Sequence, residues 1–528
     1  MRFDVYKRAL MLTAATVALL SGPAYADHVI SKNETDKLQT GGTSGVGNIV
    51  IQANGSLSIP SSSTASAAPA IEINSNNTSS NTVIMDAGSI LSFTDTAAAT
   101  GIQMDQGFTG EAAVAGTINL TGSGTGKTGI LIGNPNSPST LPFTGKPDAA
   151  NNTAHPTDLT AAIIAAGGVL NVTGDGSDGI RLSSLASVTG DIVVNGVISM
   201  QPTNLTAPAT TSGAVTGVEI DGTMTGNLSV GQTGAIRSVG SGGQGVVVLG
   251  KIDGFIENLG VITTTGAISP VANGTNPVAG SAFVIANDVT GGIYNGGPHV
   301  SGDTANAQAT IQSTGNSPTL AIEPGFGGLT AAPIVIGGRS DPGGIAGTFS
   351  LINRGAITSA TLNANDVATA VVIGSSGATS ASPTTLQGGL LNTGTISASA
   401  TGNTTAKQPT VSTAISVGQF ATITGGITNS NQTNGGTISA LVSGSSSGIA
   451  SAIVIAPNAN VTSVTNSGTI VASATVTDST VTSETAFAIV DQSGTLRTID
   501  NTGTITARAA AIVNGTFAPL DNNGQLAR

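Results

Sequence analysis

Gly174-Asp175-Gly176-Ser177-Asp178-Gly179-Ile180 resembles one turn of a calcium-binding β-roll repeat. Such repeats work because carboxylates from adjacent turns share each ion. Here the turn occurs once, and Thr173 stands where the leading glycine belongs. Asp175 and Asp178 are therefore candidate calcium ligands, set against the plainer reading of a solvated turn. Arg181 and Glu219 hold equivalent places in the repeat described below. That equivalence would bring Asp175, Asp178 and Arg181 of one coil near Glu219 and Asp221 of a later one. Clustered carboxylates on one face are what a glycan-cleaving enzyme needs. The structural alternative is a surface ion pair across stacked coils, worth less than about 1 kcal/mol.

The remaining motifs are weaker. Gly444-Ser445-Ser446-Ser447-Gly448 matches G-x-S-x-G, but in a chain this rich in Gly and Ser the match is close to chance, and no strand–turn–helix context surrounds it. Gly122-Ser123-Gly124-Thr125-Gly126-Lys127-Thr128 misses a phosphate-binding loop because Thr121 stands where its first glycine should be, so it is read as a turn. The three histidines, His28, His155 and His299, are too dispersed for a triad. No catalytic residue and no cofactor are expected, and the chain is read as non-enzymatic.

The elements that would position these residues follow from composition and repetition. Of 528 residues 73 are Gly, 8% are charged, 3% are aromatic and none is Cys or Trp. Yet 39% are hydrophobic, too many for a solvated coil. With so few charges, a long thin fold with small residues inside fits better than a large globule. Lack of cysteine excludes thiol catalysis, Cys-ligated zinc and disulfide staples. The net charge is −12, and no stripe of basic residues exists to release counterions from phosphates, which argues against nucleic acid as a partner.

Residues 1–26 read as a secretory signal peptide. Arg2, Lys7 and Arg8 precede the apolar run Ala9 to Leu20, and Ala24-Tyr25-Ala26 forms a cleavage site before Asp27. The run of 12 is too short to span a bilayer. Removing residues 1–26 takes away three basic residues and Asp4, leaving a net charge of −14.

The dominant feature of the rest is a repeat. Its signature N-x-G-x-I occurs at Asn258-Gly260-Ile262, Asn353-Gly355-Ile357, Asn392-Gly394-Ile396, Asn434-Gly436-Ile438, Asn466-Gly468-Ile470 and Asn501-Gly503-Ile505. A second signature, Ala or Gly followed by two apolar residues flanking any residue, recurs from Ala70-Ile71-Glu72-Ile73 and Gly129-Ile130-Leu131-Ile132 to Ala452-Ile453-Val454-Ile455. Its period of two predicts short strands with one face buried. The asparagines are read as residues that tolerate a left-handed corner, in preference to an inward ladder in which each bonds the next.

Short strands at these intervals predict an all-β fold, a parallel β-solenoid with irregular insertions. At roughly 20–25 residues per coil, some 20 coils would make a rod on the order of 100 Å long. Residues 27–48 are expected to form an N-terminal cap or linker, and 49–528 the solenoid. Proline-rich stretches near 133–160 and 264–335 are expected to bulge from the rod as loops.

The signal peptide, the cysteine-free Gly/Ser/Thr/Asn-rich repeats and the N-x-G-x-I copies together resemble the passenger domains of bacterial autotransporters. The resemblance is diffuse and covers most of residues 49–528. It implies a right-handed solenoid displayed at the surface of a Gram-negative cell, with an outer-membrane translocation barrel as export partner. The sequence has no series of ten-residue amphipathic strands with aromatic girdles, which leaves two forms open: a passenger fragment, or a solenoid exported by other machinery. The expected function is a structural or adhesive rod that meets a host or neighbouring cell through polar surface. A self-assembling layer or filament subunit and a glycan-degrading enzyme are the alternatives.

Overall fold

The computed structural model describes residues 27–40, 47–60, 69–74, 81–94, 98–133, 139–148, 150–151, 158–203, 214–266, 280–296, 309–362, 366–375, 378–402, 409–432, 435–444, 447–476, 483–513 and 516–519. Ala24 and Ala26 of the expected signal peptide, together with Asn434, His155, His299, Ser445 and Ser446, lie outside them.

Alternating apolar residues in short segments, each followed by a turn, need a second strand on either side to satisfy their backbone groups. The chain supplies these by coiling on itself. Successive coils stack in parallel, so three long sheets run the length of the molecule and no α-helix occurs among the described residues. The first sheet runs through fourteen parallel strands from His28–Ile30 to Thr498–Asn501. The second runs from Asn33–Glu34 to Thr504–Val513, and the third from Leu38–Gln39 to Ser483–Asp491. The protein is a parallel β-solenoid.

The N-terminal segment belongs to this stack. Strands 28–30, 33–34 and 38–39 pair with 49–51, 56–59 and 71–73, forming a short, charged terminal coil. A fourth, narrower side, not anticipated from the sequence, joins Phe143, Val188, Met224, Ile252, Val289, Ile336, Leu386, Ile423 and Val461 in one register. All nine side chains are buried.

Each signature has a fixed place. The Ile of N-x-G-x-I points inward from the second sheet, where Ile262, Ile311, Ile357, Ile396, Ile438, Ile470 and Ile505 stack in one column. The second signature supplies the third sheet, as in Ile71, Ile102, Ile130 and Ile180. Its leading glycine is required by space: a Cβ on Gly129 would lie 2.5 Å from the carbonyl oxygen of Gly179 one coil on.

Two expectations need correction. Thirteen steps of about 4.8 Å give a rod of about 60 Å, shorter than the sequence predicts. After the first, which takes 21 residues from His28 to Ile49, coils run longer than supposed: one takes 28 residues from Asn227 to Phe255, whereas others take 37 to 58. Nor is 264–335 a bulge throughout. Strands 283–285, 293–295, 310–314, 320–322 and 334–336 carry regular positions in the sheets.

Towards the C-terminal end the second and third sheets grow outward together. Five-residue strands such as Thr117–Thr121 give way to Thr395–Thr401, Thr437–Ser443 and Thr469–Val476. The facing strands are Thr410–Val417, Ser447–Ile455 and Ser483–Asp491. The two leaves form a fin filled by small side chains: Ala398, Ala440, Ala472 and Ala474 on one, Ala368, Ser412 and Ala450 on the other, all buried. Small residues let the leaves approach closely enough for Ser412 Oγ to donate to the Ala398 carbonyl at 2.9 Å.

Candidate functional site

The asparagines of the repeat form an internal ladder, which corrects the turn reading. Asn258 Nδ2 donates to Asn295 Oδ1 at 2.7 Å, and the same bond repeats from Asn295 to Asn353, Asn392, Asn429, Asn466 and Asn501 at 2.7–2.8 Å. The second N–H of each is also used: Asn353 donates to the Thr395 carbonyl at 3.0 Å and Asn392 to that of Thr437 at 3.1 Å. Asn258, Asn295, Asn353, Asn392, Asn429 and Asn466 are buried. None has a positive φ; among the described residues only Asn54, Phe420 and Asn458 do so without being glycine. The glycines after them are dictated by close approach, since a Cβ on Gly394 would lie 2.0 Å from the Gly355 oxygen.

Two rungs escaped the sequence pattern. Asn295 lacks the downstream Ile at the expected spacing, and in the fourth copy the rung is Asn429 rather than Asn434. There the stretch from Ser430 to Gly435 is inserted between rung and corner, and Gly436 N–H returns to the Ser430 carbonyl at 2.9 Å. Below Asn258 the same corner is hydrocarbon: Ile51, Met85, Val114, Ile164, Val194 and Val230 occupy the equivalent column.

The acidic cluster expected on the third sheet does assemble. Arg181 and Glu219 are register partners on successive coils. The guanidinium reaches Asp221 at 2.8 Å, Asp178 at 3.3 Å and Glu219 at 3.4 Å. Burial, then the neighbouring Asp178 charge, raises the Glu219 carboxyl. Burial also raises Asp178, with Arg181 pulling the other way. Asp175 stands apart: its Oδ1 accepts the Thr203 N–H at 2.9 Å. Asp175 and Asp178 thus take separate partners, and among the described residues no group of three or more His, Asp or Glu side chains is placed to hold a metal ion. Three carboxyls around one arginine fasten two coils to each other.

Other polar groups are absorbed in the same way. Lys127 is fully buried, its ammonium donating to the Gly122 carbonyl at 2.6 Å and to that of Thr173. The Gly122–Thr128 segment is therefore a turn whose lysine points inward, away from any phosphate. His28 pairs with Glu34 at 2.7 Å within the first coil. Glu111 is pushed up to about 9, by burial first and then by Asp148. On the first sheet a strap over residues 337–348 is held by a buried pair, with Arg354 Nε and Nη2 donating to Asp341 at 2.8 and 2.5 Å. Arg339 lies over the Phe255 and Tyr294 rings, 4.8 and 5.3 Å from their centres.

What remains displayed is an ordered hydroxyl surface. On the outer side of the second sheet Thr395, Thr437, Thr469 and Thr504 form one column, and Thr401, Ser443 and Thr475 another. The columns recur at the strand spacing of about 4.8 Å, so a polar chain lying along the rod meets the same donor and acceptor at each coil.

This geometry defines a parallel β-solenoid and no more specific class. No protein-family model, curated protein or solved structure matches the chain.

Proposed function

We propose that the chain is a secreted, surface-displayed, non-enzymatic solenoid of the autotransporter-passenger kind, acting as an adhesive or structural rod. The observation that carries this reading is the pair of hydroxyl columns on the second sheet, set on a rod stiffened by the amide ladder. Multivalent polar contact suits a surface with few aromatic anchors. The charged groups singled out in the sequence are engaged in contacts within the rod: Asp178, Glu219 and Asp221 around Arg181, Lys127 on backbone carbonyls, and Asp175 on the Thr203 N–H. Export fits a chain without cysteine, whose stability comes from stacking each coil on its neighbour.

Protease shaving of intact cells, followed by mass spectrometry of released peptides, tests the reading. Peptides from 27–528 are expected in the shaved fraction, with Asp27 as the mature N-terminus. Recovery only after lysis, with residues 1–26 still attached, would overturn it.

A further inference from the structure

The outer side of the third sheet changes character along the rod. Its central column begins Gln39, Glu72, Gln103, Leu131, Arg181, Glu219 and continues Val247, Val284, Ala321, Val372, Ser416, Val454, Val490. Charge disappears after Glu219. Val247, Val284 and Ala321 are outward-facing yet buried, whereas Val372, Val454 and Val490 are half-buried and Phe487 is exposed. The long strands of the fin add a neighbouring apolar column, Val411 and Ile449, also half-buried. On the last four strands of this sheet the outward positions therefore carry apolar side chains interspersed with hydroxyls such as Thr369, Thr413 and Ser451, and the one exposed charge, Asp491, lies at the end of the last strand.

The chain covers comparable surface elsewhere. Tyr294, Ile352 and Leu391, outward on the first sheet, are sealed with Phe349 and Ile345 by the strap. Among the described residues nothing covers the face on the fin in this way.

We propose that this face packs against the same face of a second copy, forming a side-by-side twofold dimer. A face whose one exposed charge lies at its end offers little counter-charge, so a charged partner would lose hydration without compensation. The net charge of −12 makes most other surface of this chain a poor match for a second copy. The face itself is self-complementary under a twofold axis, with the Val454 column laid over its mate at the usual sheet-to-sheet separation of about 10 Å. Four strands about 4.8 Å apart and 7 to 9 residues long expose about 400–500 Å² per copy. Doubled, that sits at the lower margin of specific interfaces. The association is therefore weak and concentration-dependent. It holds whether or not the rod is displayed on a cell.

The test is sedimentation equilibrium of the mature chain from nanomolar to high micromolar concentration, alongside Val454→Lys and the second-sheet control Ser439→Lys. Both sites are half-buried and outward-facing, so circular dichroism and thermal midpoint are expected to be unchanged. The wild type and Ser439→Lys should dimerise alike, while Val454→Lys should weaken the dimer at least about a hundredfold by burying an unpaired charge. A wild type monomeric throughout would overturn the proposal. So would a Val454→Lys chain that dimerises normally, or equal loss in the Ser439→Lys control.

Discussion

Replacing one asparagine in the middle of the amide ladder is expected to damage the rod more than replacing the first, because it breaks two ladder bonds rather than one. Asn392 accepts Asn353 Nδ2 at 2.7 Å and donates to Asn429 Oδ1 at 2.8 Å and to the carbonyls of Thr437 and Gly394. In Asn392→Leu, Asn353 keeps its bond to Thr395 but one of its N–H groups loses a partner, and Asn429 Oδ1 loses its donor. Two buried orphans at about 1–3 kcal/mol each, offset by about 1.5–2 kcal/mol from the buried leucine, leave a net loss of about 0–4.5 kcal/mol. Asn258→Val is different because Val230 already lies beneath it. That change extends the hydrocarbon column by one rung, orphans Asn295 Oδ1 and removes a 3.2 Å bond to Gly260 N–H, for a loss of about 0–3 kcal/mol after about 1.5 kcal/mol from the buried valine. Solenoids open locally, so a global midpoint alone would mislead. Hydrogen exchange at Ser430 N–H, bonded to the Asn392 carbonyl, and at Thr437 N–H, bonded to that of Gly394, reads the lesion directly. Equal protection loss in the two variants, or a gain in Asn392→Leu, would refute the reasoning.

Four further outcomes are expected. Glu484 lies within the fin with both carboxylate oxygens buried and unpartnered, and burial pushes it from 4.5 to about 7. The unfolded chain releases this proton first, so stability falls as pH rises from about 4.5 to about 7, by up to about 3 kcal/mol; denaturant midpoints at pH 5 and 8 should show that slope, and Glu484→Gln should remove it. Gly129→Ala would drive a Cβ against the Gly179 carbonyl and should cost about 1–3 kcal/mol by thermal melting. Asp341→Asn breaks a pair whose side chains are 0% and 3% exposed and should cost about 3–5 kcal/mol locally, read as new protease cleavage within 337–348. Thr437→Val with Thr469→Val should leave melting unchanged while reducing adhesion of cells displaying the rod; unaltered adhesion would count against the hydroxyl surface.

The solenoid was legible because its two signatures are steric necessities. Ile396 and Ile438 fall in one column, and Gly394 stands where a carbonyl from the coil below leaves no room for a side chain. The ion cluster was legible for the same reason: equivalent repeat positions become neighbours, as Arg181 and Glu219 do. What sequence could not supply was the use made of a polar residue. An asparagine at a corner serves a left-handed turn or an inward ladder equally well until its φ and burial are known. The fourth side rests on strands of two or three residues and, at Ile252 and Val289, on isolated bridges, all too short to leave a periodic pattern. The pairing of Arg354 with Asp341 and the inward turn of Lys127 depend on how loops fold back, which local composition does not encode.

All six bonds between the seven amides of the ladder run in one direction, from Asn258 towards Asn501. Every rung thus offers the next an identical socket and receives an identical plug. A coil gained or lost by duplication within this half leaves the junction chemistry as it was, whatever the length of the loop between rungs. Selection can therefore set the reach of the rod in whole-coil steps without redesigning its interior. The hydrocarbon half has no such grammar: Met85, Val114 and Ile164 differ in shape, and each neighbour must be fitted to the next.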